Sequence, residues 1–167
     1  MDKRTKKTLS VDNAVIRMGK YCSYTERTID EVKKKLKTLG VSVEDTELVL
    51  ERLKKMGFLN ESRFASAFAS GKFRMKKWGK KRIEIEMKRK GLSNELIEKG
   101  ISGLSQEEYL EALDTLLQKK WKTIARTSKE TDDYEAKQRQ KQKLIRFALQ
   151  KGYEMDLVFQ SIKKLGL

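Results

Sequence analysis

The sequence predicts an all-α chain built of three consecutive three-helix units, and three observations carry that prediction. A phrase recurs in which an apolar residue stands four before a glycine and apolar residues follow at fixed distances. It reads Met87, Gly91, Leu96, Ile97, Ile101, Leu104 in the middle and Ala148, Gly152, Leu157, Val158, Ile162, Leu165 at the end, with identical offsets. A looser copy near the start, Leu36, Gly40, Leu48, Val49, Leu53, Met56, fits once three loop residues are allowed. The 167 residues include no proline, and strict apolar–polar alternation is scarce, so little in the chain argues for strands. Self-similarity of this period marks stacked helical repeats, which present surfaces to partners rather than enclose a substrate.

Nine helices follow in order. The first, from about Leu9 to Tyr21, sets Ala14, Val15 and Met18 on one face, and Ser23 with Glu26 reads as a capping box for the second. The second presents Ile29, Val32, Leu36 and Leu39 and stops at Gly40. The third opens after Ser42, with Asp45 in capping-box position, and is expected to bury Leu48, Val49, Leu53 and Met56 before Gly57. Asn60 is expected to cap a longer fourth helix carrying Phe64, Ala65, Phe68 and Phe73 inward, and Gly79 to break it from the fifth. Ile83 and Met87 form the buried stripe of the fifth helix, Gly91 ends it, and Ser93 starts the sixth. Ser105 with Glu108 launches the seventh through Tyr109, Leu113, Leu116, Leu117 and Trp121. Thr127 to Asp133 reads as a loop. The eighth helix runs to Lys151 with Leu144, Ile145, Phe147 and Ala148 near its end, and Gly152 turns it into the ninth. Gly40, Gly91 and Gly152 each follow a second helix, because a left-handed residue there satisfies the helix-end carbonyls without a Cβ clash. The expected units are residues 8–57, 58–104 and 105–167, behind a basic tail at 1–7.

Composition then restricts function. Lys and Arg number 39 against 24 Asp and Glu, a formal +15, which favours a polyanionic partner through counterion release from phosphates. A membrane surface suits the chain less, because no terminal helix combines a spare apolar face with a basic one, and no apolar run is long enough to span a bilayer. With no histidine, imidazole catalysis and His metal sites are excluded. No glycine-rich phosphate loop and no metal-ligand spacing occurs, so no cofactor is expected. The carboxylate pairs Glu107–Glu108 and Asp132–Asp133 read as N-terminal helix charges. Cys22 is alone, which fits a reducing compartment, and the expected location is the cytoplasm.

Positive charge is densest between Lys72 and Leu92, where Lys72, Arg74, Lys76, Lys77, Lys80, Lys81, Arg82, Lys88, Arg89 and Lys90 face only Glu84 and Glu86. Ten like charges in so short a segment repel, which makes a bound anion a better explanation than a solvated face. Trp78 at the helix junction either packs there or stacks on a base, with packing the better reading. A second run, Lys137, Arg139, Lys141, Lys143 and Arg146, places Arg139, Lys143 and Arg146 four and three residues apart on one ridge. Lys33, Lys34, Lys35 and Lys37 form a weaker third cluster. These residues leave three readings open: a helical array that binds a complex containing nucleic acid, a general DNA- or RNA-binding helical-repeat protein, and a scaffold whose charge is incidental.

The phrase Trp78-Gly79-Lys80-Lys81-Arg82-Ile83, continuing Glu86-Met87-Lys88-Arg89-Lys90-Gly91-Leu92, resembles the central signature of the RecX regulatory family. Gly57-Phe58-Leu59-Asn60-Glu61-Ser62-Arg63-Phe64-Ala65 resembles the family's other marker. Glu61 stands where Asp is more usual, and Met87 and Ala148 where Leu is more usual. The resemblance implies three tandem three-helix repeats in an elongated, curved array. It also implies a monomeric, non-enzymatic modulator that binds the RecA recombinase filament on single- or double-stranded DNA. Its effect would be to limit ATP turnover, strand exchange and co-protease activity. No catalytic residue is implied.

Overall fold

The computed structural model describes residues 9–127 and 134–167, and among them the chain is all-helical. The helices are α1 (Val11–Tyr24), α2 (Ile29–Thr38), α3 (Val43–Lys55), α4 (Glu61–Lys76), α5 (Lys80–Arg89), α6 (Asn94–Ser102), α7 (Gln106–Thr127), α8 (Tyr134–Lys151) and α9 (Met155–Lys164). The basic tail at 1–7 and most of the loop expected at Thr127 to Asp133 lie outside the described residues; Thr127 itself closes α7. No helix among the described residues is long and apolar enough to cross a membrane.

Helix starts follow side-chain chemistry. Ser42 Oγ accepts from the Asp45 amide at 3.0 Å, and Asn60 Oδ1 from the Arg63 amide at 2.9 Å. The box at α2 is formed by Thr28 and Glu31 rather than Ser23 and Glu26. Ser23 lies inside α1 and its hydroxyl donates back to the Lys20 carbonyl at 2.8 Å, while Glu26 pairs with Arg63. In α3 the buried face is Thr46, Val49, Leu50 and Leu53, a complete stripe at spacings of three and four. Leu48, one residue off that stripe, and Met56, at the helix end, stay 51% and 58% exposed, contrary to the repeat phrase.

The repeated glycines close α2, α5 and α8 in one geometry. The amides of Val41, Leu92 and Tyr153 each donate to the carbonyls of Leu36, Met87 and Ala148 at 3.2 Å, with φ of 75°, 83° and 92° at Gly40, Gly91 and Gly152. This is the Schellman closure, in which the residue after the glycine folds back on the residue four before it. It explains why Leu36, Met87 and Ala148 are apolar and fully buried, and why Val41, Leu92 and Tyr153 are buried too.

Two compact units result, one from residues up to 67 with 87–99, the other from 68–86 with 100–167. The first has a core of Ala14, Val15, Met18, Val32, Leu36, Val49, Leu50, Leu53 and Leu59. There Gly91 packs against the Asp30 carboxylate, Lys90 Nζ lies 2.6 Å from Glu31 Oε1, and the Ile29 amide donates to Glu61 Oε1 at 2.9 Å. Thus the end of α5 meets the start of α2.

In the second unit the end of α8 meets the start of α5 in the same sense. The Gly79 amide donates to the Lys151 carbonyl at 2.8 Å, the Lys81 amide to the Gly152 carbonyl at 3.1 Å, and the Lys80 amide to Tyr109 Oη at 2.9 Å. α5 has no acidic residue in its first turn, and these contacts satisfy amides that a cap residue otherwise serves. The negative end of one helix dipole also faces the positive end of the other. Tyr109 stacks between Phe73 at 5.7 Å and Tyr153 at 5.0 Å, and its hydroxyl donates to Glu154 Oε2 at 2.6 Å.

Gly79 lies in the break between α4 and α5, as expected, and packing gives it a second role. Lys77, at φ 53°, makes the left-handed turn after α4, whereas Gly79 is buried with no room for a side chain: a Cβ there would overlap the Gly152 carbonyl. Gly79→Ala is expected to lower the unfolding free energy by about 1–3 kcal/mol through overpacking. Gly71→Ala, in α4 with nothing within 4 Å of its Cβ, is expected to raise it by about 0.5–1 kcal/mol. Urea denaturation of the two variants checks the pair, and a neutral Gly79→Ala would contradict the α5–α8 joint.

Candidate nucleic-acid interface

The structure divides the ten cations of residues 72–90 between joint and surface. In the second unit Lys72 Nζ lies 5.2 Å from the centroids of both Phe68 and Trp78, and the Arg82 guanidinium 4.3 Å from Trp78. Arg82 also donates to the Gln150 carbonyl at 3.1 Å, so half-buried Trp78 is packed at the α4–α5 turn under two cations, one of which holds α8. Lys80 donates to Gln106 Oε1 at 2.8 Å and sits 4.6 Å from the Tyr109 ring centre. Arg74, Lys76, Lys77 and Lys81 are exposed. In the first unit Lys88 and Arg89 are exposed on the last turn of α5, while Lys90 is held by Glu31 and lies 5.7 Å from the Phe64 ring centre.

On α8, Lys137, Arg139, Lys143 and Arg146 are exposed, with Arg139 3.4 Å from Glu135. Arg139, Lys143 and Arg146 thus occupy a single exposed ridge. A groove of about 320 Å³ between α4 and α7 is lined by Phe73, Arg74, Lys77, Leu116 and Lys119 among others. It brings Lys119 to the side of Arg74 and Lys77. Sequence reasoning passed over Lys119 and its neighbours Lys120, Lys122 and Arg126 on α7, although four cations without an acid between 119 and 126 were visible there.

Electrostatics mark the joints rather than a reaction centre. Burial works against the Glu31 carboxylate, but the hydrogen bonds from Lys90 and the Thr28 amide, with the charges of Lys90 and Arg27, hold it below the ordinary range. Burial, and donation to Glu154, drive Tyr109 far above the usual phenol value, and burial beside Glu154 pushes Tyr153 up to about 12. Cys22 is buried and its thiol is pushed up by desolvation, which makes it a packing residue. No group of three or more metal-ligating side chains occurs among the described residues.

Comparison with known proteins adds the lineage. The model of the second three-helix domain of RecX matches residues 60–101 and that of the third three-helix domain matches 106–162. The chain belongs to the RecX family. Regulatory protein RecX of Clostridium beijerinckii is 31% identical over 141 residues, covering 84% of this chain and 62% of the relative. That of Clostridium acetobutylicum is 30% identical over 159 residues, covering 92% and 71%. This chain therefore spans a little under two thirds of the length of the first of these RecX proteins. The crystal structure of RecX from Lactobacillus salivarius superposes with a TM-score of 0.81 at 20% identity, over 93% of this chain and 96% of that one. A second RecX crystal structure gives 0.78 at 22% identity. These likenesses establish the RecX fold, an array of three-helix repeats.

The family markers can now be read physically. Glu61 accepts the Ile29 amide, Arg63 pairs with Glu26 and donates to the Gly57 carbonyl at 3.0 Å, and Phe64 is buried, all within the first unit. Because its pKa is lowered, Glu31 contributes stability above the unfolded value near 4.5 that is lost as pH falls through the folded value. Glu31→Gln is expected to cost about 0.5–1 kcal/mol at neutral pH, with the gap to wild type closing below about pH 4. The raised phenols act oppositely: their contribution is complete below about pH 10 and is lost as pH climbs toward the folded values. Urea midpoints measured from acid to alkaline pH check both limbs, and a pH-independent Glu31→Gln gap would contradict the first.

Proposed function

We propose that this chain is a non-enzymatic regulator of recombination that binds the RecA filament on DNA and restrains its ATPase, strand-exchange and co-protease activities. Membership of a family whose members are named regulatory proteins carries the reading. A strongly basic repeat array supports it, since many weak contacts along a polymer add through effective concentration. The exposed cations Arg74, Lys76, Lys77 and Lys81 of the second unit, and Lys88 and Arg89 of the first, are the filament-facing residues in this reading. Trp78, Lys72, Lys80 and Arg82 support the cations of the second unit, and Lys90 those of the first, from within the joints. The partner is a nucleoprotein in solution, reached by one copy of the chain in the cytoplasm.

The competing reading, a general nucleic-acid binder, requires near-stoichiometric coverage of DNA to slow RecA. The test is the single-strand-DNA-dependent ATPase rate of RecA, with this protein added well below the RecA concentration. Inhibition at those ratios is the expected result. Lys76→Glu with Lys81→Glu, both exposed, is expected to demand roughly tenfold more protein for the same inhibition at unchanged helicity. Inhibition only near saturation of the DNA would favour the general binder.

A further inference from the structure

The first two helices of the third repeat are longer than their counterparts. α7 has 22 residues against 14 in α1 and 16 in α4, and α8 has 18 against 10 in α2 and 10 in α5. Measured from the glycine that ends each second helix, residues 134–140 of α8 are additional; measured from the N-cap, so are residues 122–127 of α7. The pair runs antiparallel, with Tyr109 5.0 Å from Tyr153 at one end and Lys120 Nζ 5.0 Å from Phe147 farther along. The added turns bury Ile124 and Ala136, a small apolar gain for so much extra helix.

What the two helices carry is charge. From Lys119 to Arg146 there are ten cations against Glu130, Asp132, Asp133 and Glu135, and the added turns supply Lys122, Arg126, Lys137 and Arg139 of the ten. Lys119, Lys122 and Arg126 recur at spacings of three and four on α7, as Arg139, Lys143 and Arg146 do on α8. Lys122 and Arg126 are exposed, and so are Lys143 and Arg146. Like charges one helical turn apart destabilise a helix, so each ridge is built from residues that repel one another. On α5, by contrast, Glu84 and Glu86 interleave the cations, and Lys80, Arg82 and Lys90 are spent on the joints. Tyr134, 73% exposed on the first turn of α8, offers a ring on which a base can stack beside these cations.

We infer that the distal turns of α7 and α8 form a clamp for nucleic-acid phosphates that supplies most of the chain's affinity for bare DNA, separately from the α4–α5 cations. The assignment rests on the regulatory reading above and divides its labour. Lys122→Gln with Arg126→Gln, and independently Lys137→Gln with Arg139→Gln, are titrated against labelled single-stranded and duplex oligonucleotides across a salt series, with unchanged ellipticity as the folding control. Each pair is expected to weaken binding about 10- to 100-fold at moderate salt and to flatten the salt slope by about one per lost phosphate contact. Lys54→Gln with Lys55→Gln, exposed on the last turn of α3 and outside every basic patch described above, should stay within about threefold of wild type on bare DNA. Unchanged affinity in both extension pairs, or an acidic peptide of equal charge competing as well as the oligonucleotide, would overturn the clamp. If the wild-type chain slows RecA while the extension pairs bind DNA normally, the clamp alone fails. If the extension pairs lose DNA while the wild-type chain leaves RecA unaffected, the clamp stands and the regulatory reading fails.

Discussion

The structure depends on one contact: the carbonyl end of a glycine-terminated second helix set against the amide end of the second helix before it. A helix leaves unsatisfied amides at its start and unsatisfied carbonyls at its end, and burying either without a partner costs a hydrogen bond's worth of desolvation. Here each deficit answers the other. The Lys151 and Gly152 carbonyls receive the Gly79 and Lys81 amides, which lets α5 begin without a cap residue and lets α8 end inside protein. Close approach then requires a glycine on the α5 side, and the left-handed closure requires one on the α8 side.

The same contact decides what the positive charge can do. Arg82 reaches across the α5–α8 joint to the Gln150 carbonyl, Lys151 reaches the Lys76 carbonyl at the end of α4, and Lys90 reaches Glu31 in the other unit. Cations in such positions orient helices and pack over aromatic rings, and their charge is partly screened from a ligand. In the proposed function, the surface left to a polyanion is the exposed cations around the joint together with those on the longer helices of the third repeat. Of the ten cations in the densest run of the sequence, Lys72, Lys80, Arg82 and Lys90 are only half-exposed and lie against an aromatic ring or an acceptor.

Much of the fold was legible because its determinants are local. Glycine offsets predicted three identical helix ends, and Ser42, Asn60, Ser93 and Ser105 stand where their cap chemistry placed them. Errors arose where a nonlocal partner decides. Ser23 and Glu26 matched a capping box in spacing, but α1 continues through Ser23 and Arg63 takes Glu26. Gly79 does stand at the α4–α5 break, but its close approach to Gly152 shows only in the packing. The interface was the least legible part: whether a lysine faces solvent or a carbonyl 26 to 75 residues away, as with Lys80 and Lys151, cannot be read from charge density. The α7 cations were in plain view, but their meaning depends on the helix being longer than its counterparts.

The most direct test of this account is native-state hydrogen exchange at the amides of Gly79, Lys80 and Lys81. If the third repeat caps α5, these three should exchange only by the same cooperative opening as the buried amides of Ile83 and Met87, although they occupy a helix start that ordinarily frays. Exchange at the rate of an open helix N-terminus, with the core still protected, would contradict the joint and with it the division of the cations between structure and surface.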